Sequence, residues 1–174
     1  MIDPRQFRNA LGHFATGVTI VTTRDAQGEP VGVTVNSFAS VSLEPPLVLW
    51  SLAKKSWSLA AFEHNPNFAI HVLASDQQSL SDRFARAGTD KFADLDTANG
   101  LGNIPLLPNC AAVFQCTVEH RYDGGDHLIL VGRVQDFSTT EHPPLLFYRG
   151  RYAAPEPETL SFAGLMRAVS PAAA

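Results

Sequence analysis

Residues 31–58, VGVTVNSFASVSLEPPLVLWSLAKKSWS, first alternate and then run apolar, which marks two strands of different kinds. In the first, Val31, Val33 and Val35 share one face and Gly32, Thr34 and Asn36 the other. A Ser-rich turn follows. Pro45-Pro46 then launches Leu47 to Leu52, apolar on both faces and so expected to be a central strand. Ser56 is placed to cap a helix over Trp57 to Glu63, closed by Asn65-Pro66. Lys54 and Lys55 stand just before that cap. Hydroxyls, an amide, cations and the free N–H groups of a helix start are thereby gathered in one segment, a set suited to a polar, phosphorylated ligand. A solvated strand edge and an ordinary Ser cap beside two surface lysines would give the same letters.

Upstream, Asp3-Pro4 starts a helix, with Phe7, Leu11 and Phe14 on one face and Gly17 as its expected end. Val18 to Thr23 is β-branched and reads as a strand; Asp25 to Gly28 is turn chemistry, giving a hairpin into Val31. Downstream, Phe68 to Leu73 is a strand, and Asp76 to Ala87 a helix with Leu80 and Phe84 one turn apart and Gly88 as its stop. Thr89 to Asn109 is long and irregular enough to be a functional loop. Ala111 to Arg121 and His127 to Phe137 are two long strands joined through Tyr122 to Asp126. Pro143-Pro144 introduces a last short strand within Leu145 to Tyr152. About six or seven strands and about three helices do not make a βαβ series; they favour a mainly β, antiparallel barrel decorated by helices. Residues 1–152 read as one domain, and residues 153–174, rich in Pro, Ala and Glu, as a C-terminal arm with a weak amphipathic piece over 160–168.

A chain of 174 residues, 45% hydrophobic and 17% charged, is an ordinary globular domain with slightly few charges, as if some surface were covered by another subunit. The net charge of -4 and the lack of a Lys/Arg cluster argue against nucleic acid. No run is long enough to span a membrane and the N-terminus has no apolar signal core, so a cytoplasmic protein is expected. Cys110 and Cys116 are too far apart along a strand to bridge, and they lack zinc-like spacing and basic neighbours; they read as core residues. There is no Gly-x-Gly-x-x-Gly after a strand, no Gly-x-Ser-x-Gly and no His-Glu-x-x-His, so Rossmann, hydrolase and metalloenzyme chemistry gain no support.

One more constellation stands out. In Gly124-Gly125-Asp126-His127 the glycines suit a tight turn, and Asp126 is placed to orient or charge-stabilise the imidazole. Arg83, Phe84, Lys91 and Phe92 flank the long loop, either as a basic-aromatic clamp or as a helix end and core anchor.

FATGVTIVTT, GVTVNSFASVSLEPPLVLWSLAKKS, RFARAGTDKF, GGDHLILVGRV and LLFYRGRY together resemble the flavin reductase-like family with the FMN-binding split barrel, over roughly residues 5–152. The resemblance implies a homodimeric split β-barrel and an NAD(P)H:flavin oxidoreductase that serves a two-component flavin-dependent monooxygenase. It implies FMN or FAD as the flavin and NADH or NADPH as the electron donor. Thr34, Val35, Asn36 and Ser37 match positions that hold the flavin ring edge and ribityl chain. Ser51, Leu52, Ala53, Lys54 and Ser56 match those at the ribityl chain and phosphate. Lys91 and Phe92 match a loop that closes over the phosphate or an FAD tail. His127 matches a residue beside the nicotinamide. Two other readings stay open: a split-barrel protein with tightly held FMN acting directly on another substrate, and a non-enzymatic flavin- or haem-binding protein.

Overall fold

The computed structural model describes residues 1–88 and 90–156. Helix α1 (Pro4–Leu11) is followed by β1 (Thr16–Gly17), β2 (Thr19–Arg24), β3 (Pro30–Val35), β4 (Ala39–Leu43) and β5 (Pro46–Ala53). Helix α2 (Leu59–His64), β6 (Asn67–Val72) and helix α3 (Gln78–Ala85) come next. A loop carrying β7 (Ala98–Asn99), a 3-10 turn (Leu101–Asn103) and β8 (Pro105–Leu106) leads to the long hairpin β9 (Ala112–Gly124) and β10 (His127–Thr139). The hairpin β11 (Leu146–Tyr148) and β12 (Arg151–Ala153) closes the described part.

Seven strands form one sheet in the order β3-β2-β6-β9-β10-β5-β4, with antiparallel neighbours. The two outer strands, β3 and β4, do not pair with each other. The sheet curls into a barrel that is left split, and the split lies between the strand pair and the helix start quoted above.

Strands β2 and β6 are buried on both faces, and the β-branched residues in and just before β2 serve two cores at once. Val21 packs inside the barrel with Val48, Trp50, Leu52, Phe62, Phe68, Ile70, Cys116 and Leu130. Ile20 and Val18 pack outside it with Leu73, Phe84, Leu107 and Leu145. The threonines of β2 reach acceptors on neighbouring segments: Thr22 Oγ1 donates to Pro105 O at 2.6 Å and Thr23 Oγ1 to Asn67 O at 2.8 Å. Buried hydroxyls generally need such partners.

Several boundaries differ from those read in the sequence, each for a local reason. Helix α1 has the Asp3 cap, whose carboxylate accepts from Arg5 N and Gln6 N, but it ends at Leu11 with Gly12 as its C-cap. Its Phe7 and Leu11, with Phe14 beyond, are exposed. Residues 39–43, expected as turn, form β4, which pairs along β5 from Leu43↔Pro46 to Ala39↔Leu49. The apolar run of β5 is second from the edge, with only the face of Val48, Trp50 and Leu52 buried. Helix α2 begins at Leu59, and Ser56 Oγ accepts from Ser58 N within the preceding turn rather than capping the helix. Helix α3 stops at Ala85, before Gly88. Cys110 precedes β9 and only Cys116 lies in it; both are buried free thiols pushed up to about 12 by that burial. Ala153 pairs with Leu146 in the last hairpin, and the amphipathic piece at 160–168 lies outside the described residues.

Candidate functional site

An edge strand leaves half of its backbone groups without a ladder partner. Here two such edges face each other across the split. One belongs to β3 and its extension through Asn36 and Ser37. The other is the end of β5, Ser51 to Ala53, which runs past the last β4 pair at Leu49. One side chain spans the gap: Ser37 Oγ accepts from Ser51 N at 2.9 Å and donates to Ser51 O at 3.2 Å. Beside this clasp opens a cleft of about 510 Å³, lined by Val33 to Ser37, Ser51 to Ala53, Ser56, Gly124, His127 and Ile129. Its walls are backbone edge, hydroxyl and aliphatic surface, which suits a planar heteroaromatic ring with donors and acceptors along one side.

The far wall comes from the tip of the β9–β10 hairpin. The register puts His127 opposite Ala53 and opposite Gly124, so the imidazole stands at the end of β5. Its Nδ1 lies 2.7 Å from Asp126 Oδ1. That bond is the main cause holding the Asp126 carboxyl below the usual carboxylate range, with the charge of His127 adding to it. Lys54 N donates to Asp126 O at 2.9 Å, tying the turn to the strand end.

A second groove of about 560 Å³ continues past Val33, Ala53 and Ser56. It is lined by Lys55, Arg86 and Lys91 against one carboxylate, Asp90, together with Trp57, Ser58 and Phe92 among others, which leaves it cationic on balance with an aromatic rim. Its floor is fixed by packing. Gly32 lets β3 approach Phe84, since a Cβ there would lie 2.5 Å from the Phe84 ring, and Phe92 stands edge-on to Phe84 at 5.0 Å. Lys91 Nζ donates to Gly32 O and Phe84 O, both at 3.0 Å, and burial lowers its pKa.

Nine of the twelve residues singled out in the sequence thus line the first cleft: Thr34, Val35, Asn36, Ser37, Ser51, Leu52, Ala53, Ser56 and His127. Lys91 and Phe92 line the second groove. Lys54 lines neither cleft, because its ammonium is paired with Asp123 Oδ2. Thr34 Oγ1 donates to Ser81 O at 2.7 Å, so its backbone rather than its hydroxyl proton is what the cleft receives. Arg86 was not singled out in the sequence. It sits at the C-cap of α3, brought over the groove by packing of that helix on β3. A cation just after a helix C-terminus is too common to have signalled it.

The flavin reductase like domain model matches residues 11–156. The chain belongs to the flavin reductase-like family. It is 50% identical over 159 residues to the reductase subunit HsaB of a flavin-dependent monooxygenase from Rhodococcus jostii, covering 90% of this chain and 80% of that one. It is 50% identical over 150 residues to the FMN reductase (NADH) SmoA of Agrobacterium fabrum, covering 86% and 85%. The NADH:FAD oxidoreductase SgcE6 of Streptomyces globisporus, solved in complex with NAD and FAD fragments, superposes with a TM-score of 0.84 at 36% identity, covering 91% of this chain and 98% of that one. The split barrel is therefore the family fold.

The Ser37 clasp gives a direct test of the cleft. Ser37→Ala removes both bonds and leaves Ser51 N–H without its partner. A lost hydrogen bond of this kind costs about 1 kcal/mol, or roughly fivefold in an equilibrium constant. FMN titration by fluorescence quenching is expected to show about five- to tenfold weaker binding, and an affinity within twofold of the parent would remove the clasp from the site.

Proposed function

We propose that this protein is an NAD(P)H-dependent flavin reductase that transfers hydride from a reduced nicotinamide to FMN or FAD and supplies the reduced flavin to a separate flavin-dependent monooxygenase. The observation that carries this reading is the polar-edged cleft in the split with His127 at its far wall. When bound, the flavin supplies the redox chemistry as a two-electron hydride acceptor. The protein's task is to hold and align. The free edges of β3 and β5 would take up the heteroatoms of the ring, Ser56 and the cationic groove would hold the phosphate end, and His127 would address the nicotinamide amide. Alignment of two bound reactants is itself a large source of rate. No protein nucleophile or general base is needed for the transfer itself.

Anaerobic mixing of the protein with FMN and NADH, or NADPH, is expected to bleach the flavin absorption; no bleaching with either nicotinamide would sink the proposal. Steady-state rates with both nicotinamides against both flavins would name the pair used. A protein that stays yellow through gel filtration and fails to reduce added flavin would favour a tightly held FMN instead. His127→Ala is expected to raise the nicotinamide KM about five- to tenfold, the worth of one hydrogen bond, with a smaller effect on the flavin KM. An equal or reversed effect would remove His127 from the nicotinamide side.

Homodimerisation is part of the same reading. Phe7, Leu11 and Phe14 at the N-terminal helix, and Val41 and Leu43 on the edge strand β4, are exposed apolar side chains that a second copy would cover. No helix among the described residues is long and apolar enough to cross a membrane. A cytoplasmic site of action completes the proposal.

A further inference from the structure

We infer that the tip of the β9–β10 hairpin is a clasp that sets the tautomer of His127, with Asp126 and Lys54 as its positioning residues. The inference rests on the nicotinamide-side role of His127 proposed above, and it departs from a phosphate role for Lys54. The turn is a two-residue loop, Gly125-Asp126, between the paired residues Gly124 and His127. Gly125 has a φ of +78°, and its N–H donates to Asp123 Oδ1 at 3.0 Å. Lys54 grips this turn at two points. Its N–H donates to Asp126 O, and its ammonium pairs with Asp123 Oδ2 on the other side of the loop. The charges around the imidazole are therefore Asp123, Asp126, Lys54 and Lys55, from the hairpin and the end of β5. Exposed pairs of this kind add little stability, so their consequence is geometric.

The donor inventory gives that consequence. An ionised carboxylate only accepts, so His127 Nδ1, 2.7 Å from Asp126 Oδ1, must carry the proton. In the neutral imidazole the other nitrogen, Nε2, then holds a lone pair. With Nδ1 committed to Asp126, Nε2 is the nitrogen left for the cleft that His127 lines. An acceptor there matches the NH2 of a nicotinamide carboxamide. Without Asp126, imidazole in water favours the opposite tautomer, with the proton on Nε2, which can no longer accept from that NH2. Asp126 thus selects the hydrogen-bonding sense of His127, and Lys54 holds the loop that carries Asp126.

Long-range proton–nitrogen correlation spectra of the full chain, labelled in histidine nitrogen and recorded without ligand in alkaline buffer, test the tautomer directly. The parent is expected to show the proton on His127 Nδ1, and Asp126→Ala to move it predominantly to Nε2. A parent with the proton on Nε2 overturns the inference whatever the activity proves to be. Kinetics test the clasp. Asp126→Ala and Lys54→Met are each expected to raise the nicotinamide KM about five- to tenfold, one hydrogen bond's worth, while the flavin Kd stays within about twofold. Lys54→Arg, which keeps a donor for Asp123, is expected to recover most of that loss. Riboflavin, which lacks the phosphate, separates the two roles of Lys54. An unchanged ratio of FMN to riboflavin affinity in Lys54→Met supports the clasp. A collapsed ratio with an unchanged nicotinamide KM makes Lys54 a phosphate ligand and overturns the inference for it. Failure of the parent to oxidise either nicotinamide would defeat the proposed function, while the tautomer measurement would still decide the role of Asp126.

Discussion

Lowering the pH from about 6.5 to about 4 is expected to remove roughly 3 kcal/mol of stability through one residue, His71. The side chain is fully buried in β6. Leu107 N donates to its Nε2 at 3.1 Å, so its Nδ1 carries the proton and donates to Ile20 O at 3.0 Å. The imidazole is neutral and its bonding is complete. A second proton would have to displace the Leu107 N–H inside the core, and burial accordingly lowers the pKa from 6.5 to about 4, against a smaller opposing effect of the Ile20 carbonyl. The sign follows directly. Above pH 6.5 the residue is neutral in both states and costs nothing. Below it the unfolded chain takes up the proton first, so stability falls until the folded protein is protonated as well, near pH 4. Urea unfolding of the parent and of His71→Gln across pH 8 to 4.5 measures the difference. Gln is expected to lose about 1–3 kcal/mol at pH 8 if its amide fits the two partners poorly, and to show a much flatter acid limb. Parallel curves would refute the assignment. The depressed carboxyls of Glu119, Asp123 and Asp126 lose their advantage as pH falls from the ordinary carboxylate range through their own lowered values, and they do so equally in both proteins.

Gly132→Ala is expected to destabilise the fold by about 3 kcal/mol, near the top of the usual range for overpacking. The β9–β10 ladder shifts register between Val131 and Gly132, and the bulge curves the hairpin over the inner core. At that bend a Cβ on Gly132 would lie 2.4 Å from Phe68 Cζ and 2.9 Å from Cys116 Cβ. Both neighbours are fully buried, and Phe68 is also held edge-on against Trp50 at 5.9 Å, so the ring has no free volume to enter. Gly17→Ala is the control: nothing lies within 4 Å of its added Cβ, and its effect is expected to stay within about 0.5 kcal/mol. A shift in the urea midpoint for Gly132→Ala no larger than that of the control would show that the hairpin relaxes at its bulge. Since the same hairpin carries His127, the nicotinamide-side role proposed for that residue would make a partial relaxation appear as a raised nicotinamide KM before lost flavin affinity.

The legible parts of the chain were those where a short-range rule acts without competition. Asp3 before Pro4 is a complete helix start, and the carboxylate caps as expected. The β-branched run of β2 and the turn chemistry of Asp25 to Gly28 gave a hairpin, which the structure contains with Arg24 paired to Pro30. The long strands β9 and β10 followed from their length and the tight turn between them from its glycines, although β9 runs on through Tyr122 and Asp123 to Gly124, residues read as connection. Residues 39–43 were not legible, because a strand whose Ala39, Val41 and Leu43 face outward carries the apolar alternation without a core to read it against. Helix α2 was legible but its start was not: Ser56, with its hydroxyl bound to Ser58 N, makes the turn that precedes a cap look like the cap itself.

The candidate site divides along the same line. Sequence by itself determined that Thr34 to Ser37 and Ser51 to Ser56 would lie at two strand ends near a turn, because each pattern is local and one strand joins them. It also determined that His127 follows a tight Gly-Gly turn beside an acid. Only the tertiary structure decided how those pieces face one another. It left β3 and β4 unpaired, so that the backbone of β3 faces the end of β5 across a gap spanned by Ser37. It set His127 opposite Ala53 by the pairing of β10 with β5. It turned Lys54 from the ligand side to Asp123, and brought Arg86 to the groove in its place. The physical reason is range. Capping, turn chemistry and alternation act over a few residues, whereas a salt bridge such as Lys54 to Asp123 joins groups 69 positions apart, which only the closed sheet brings together.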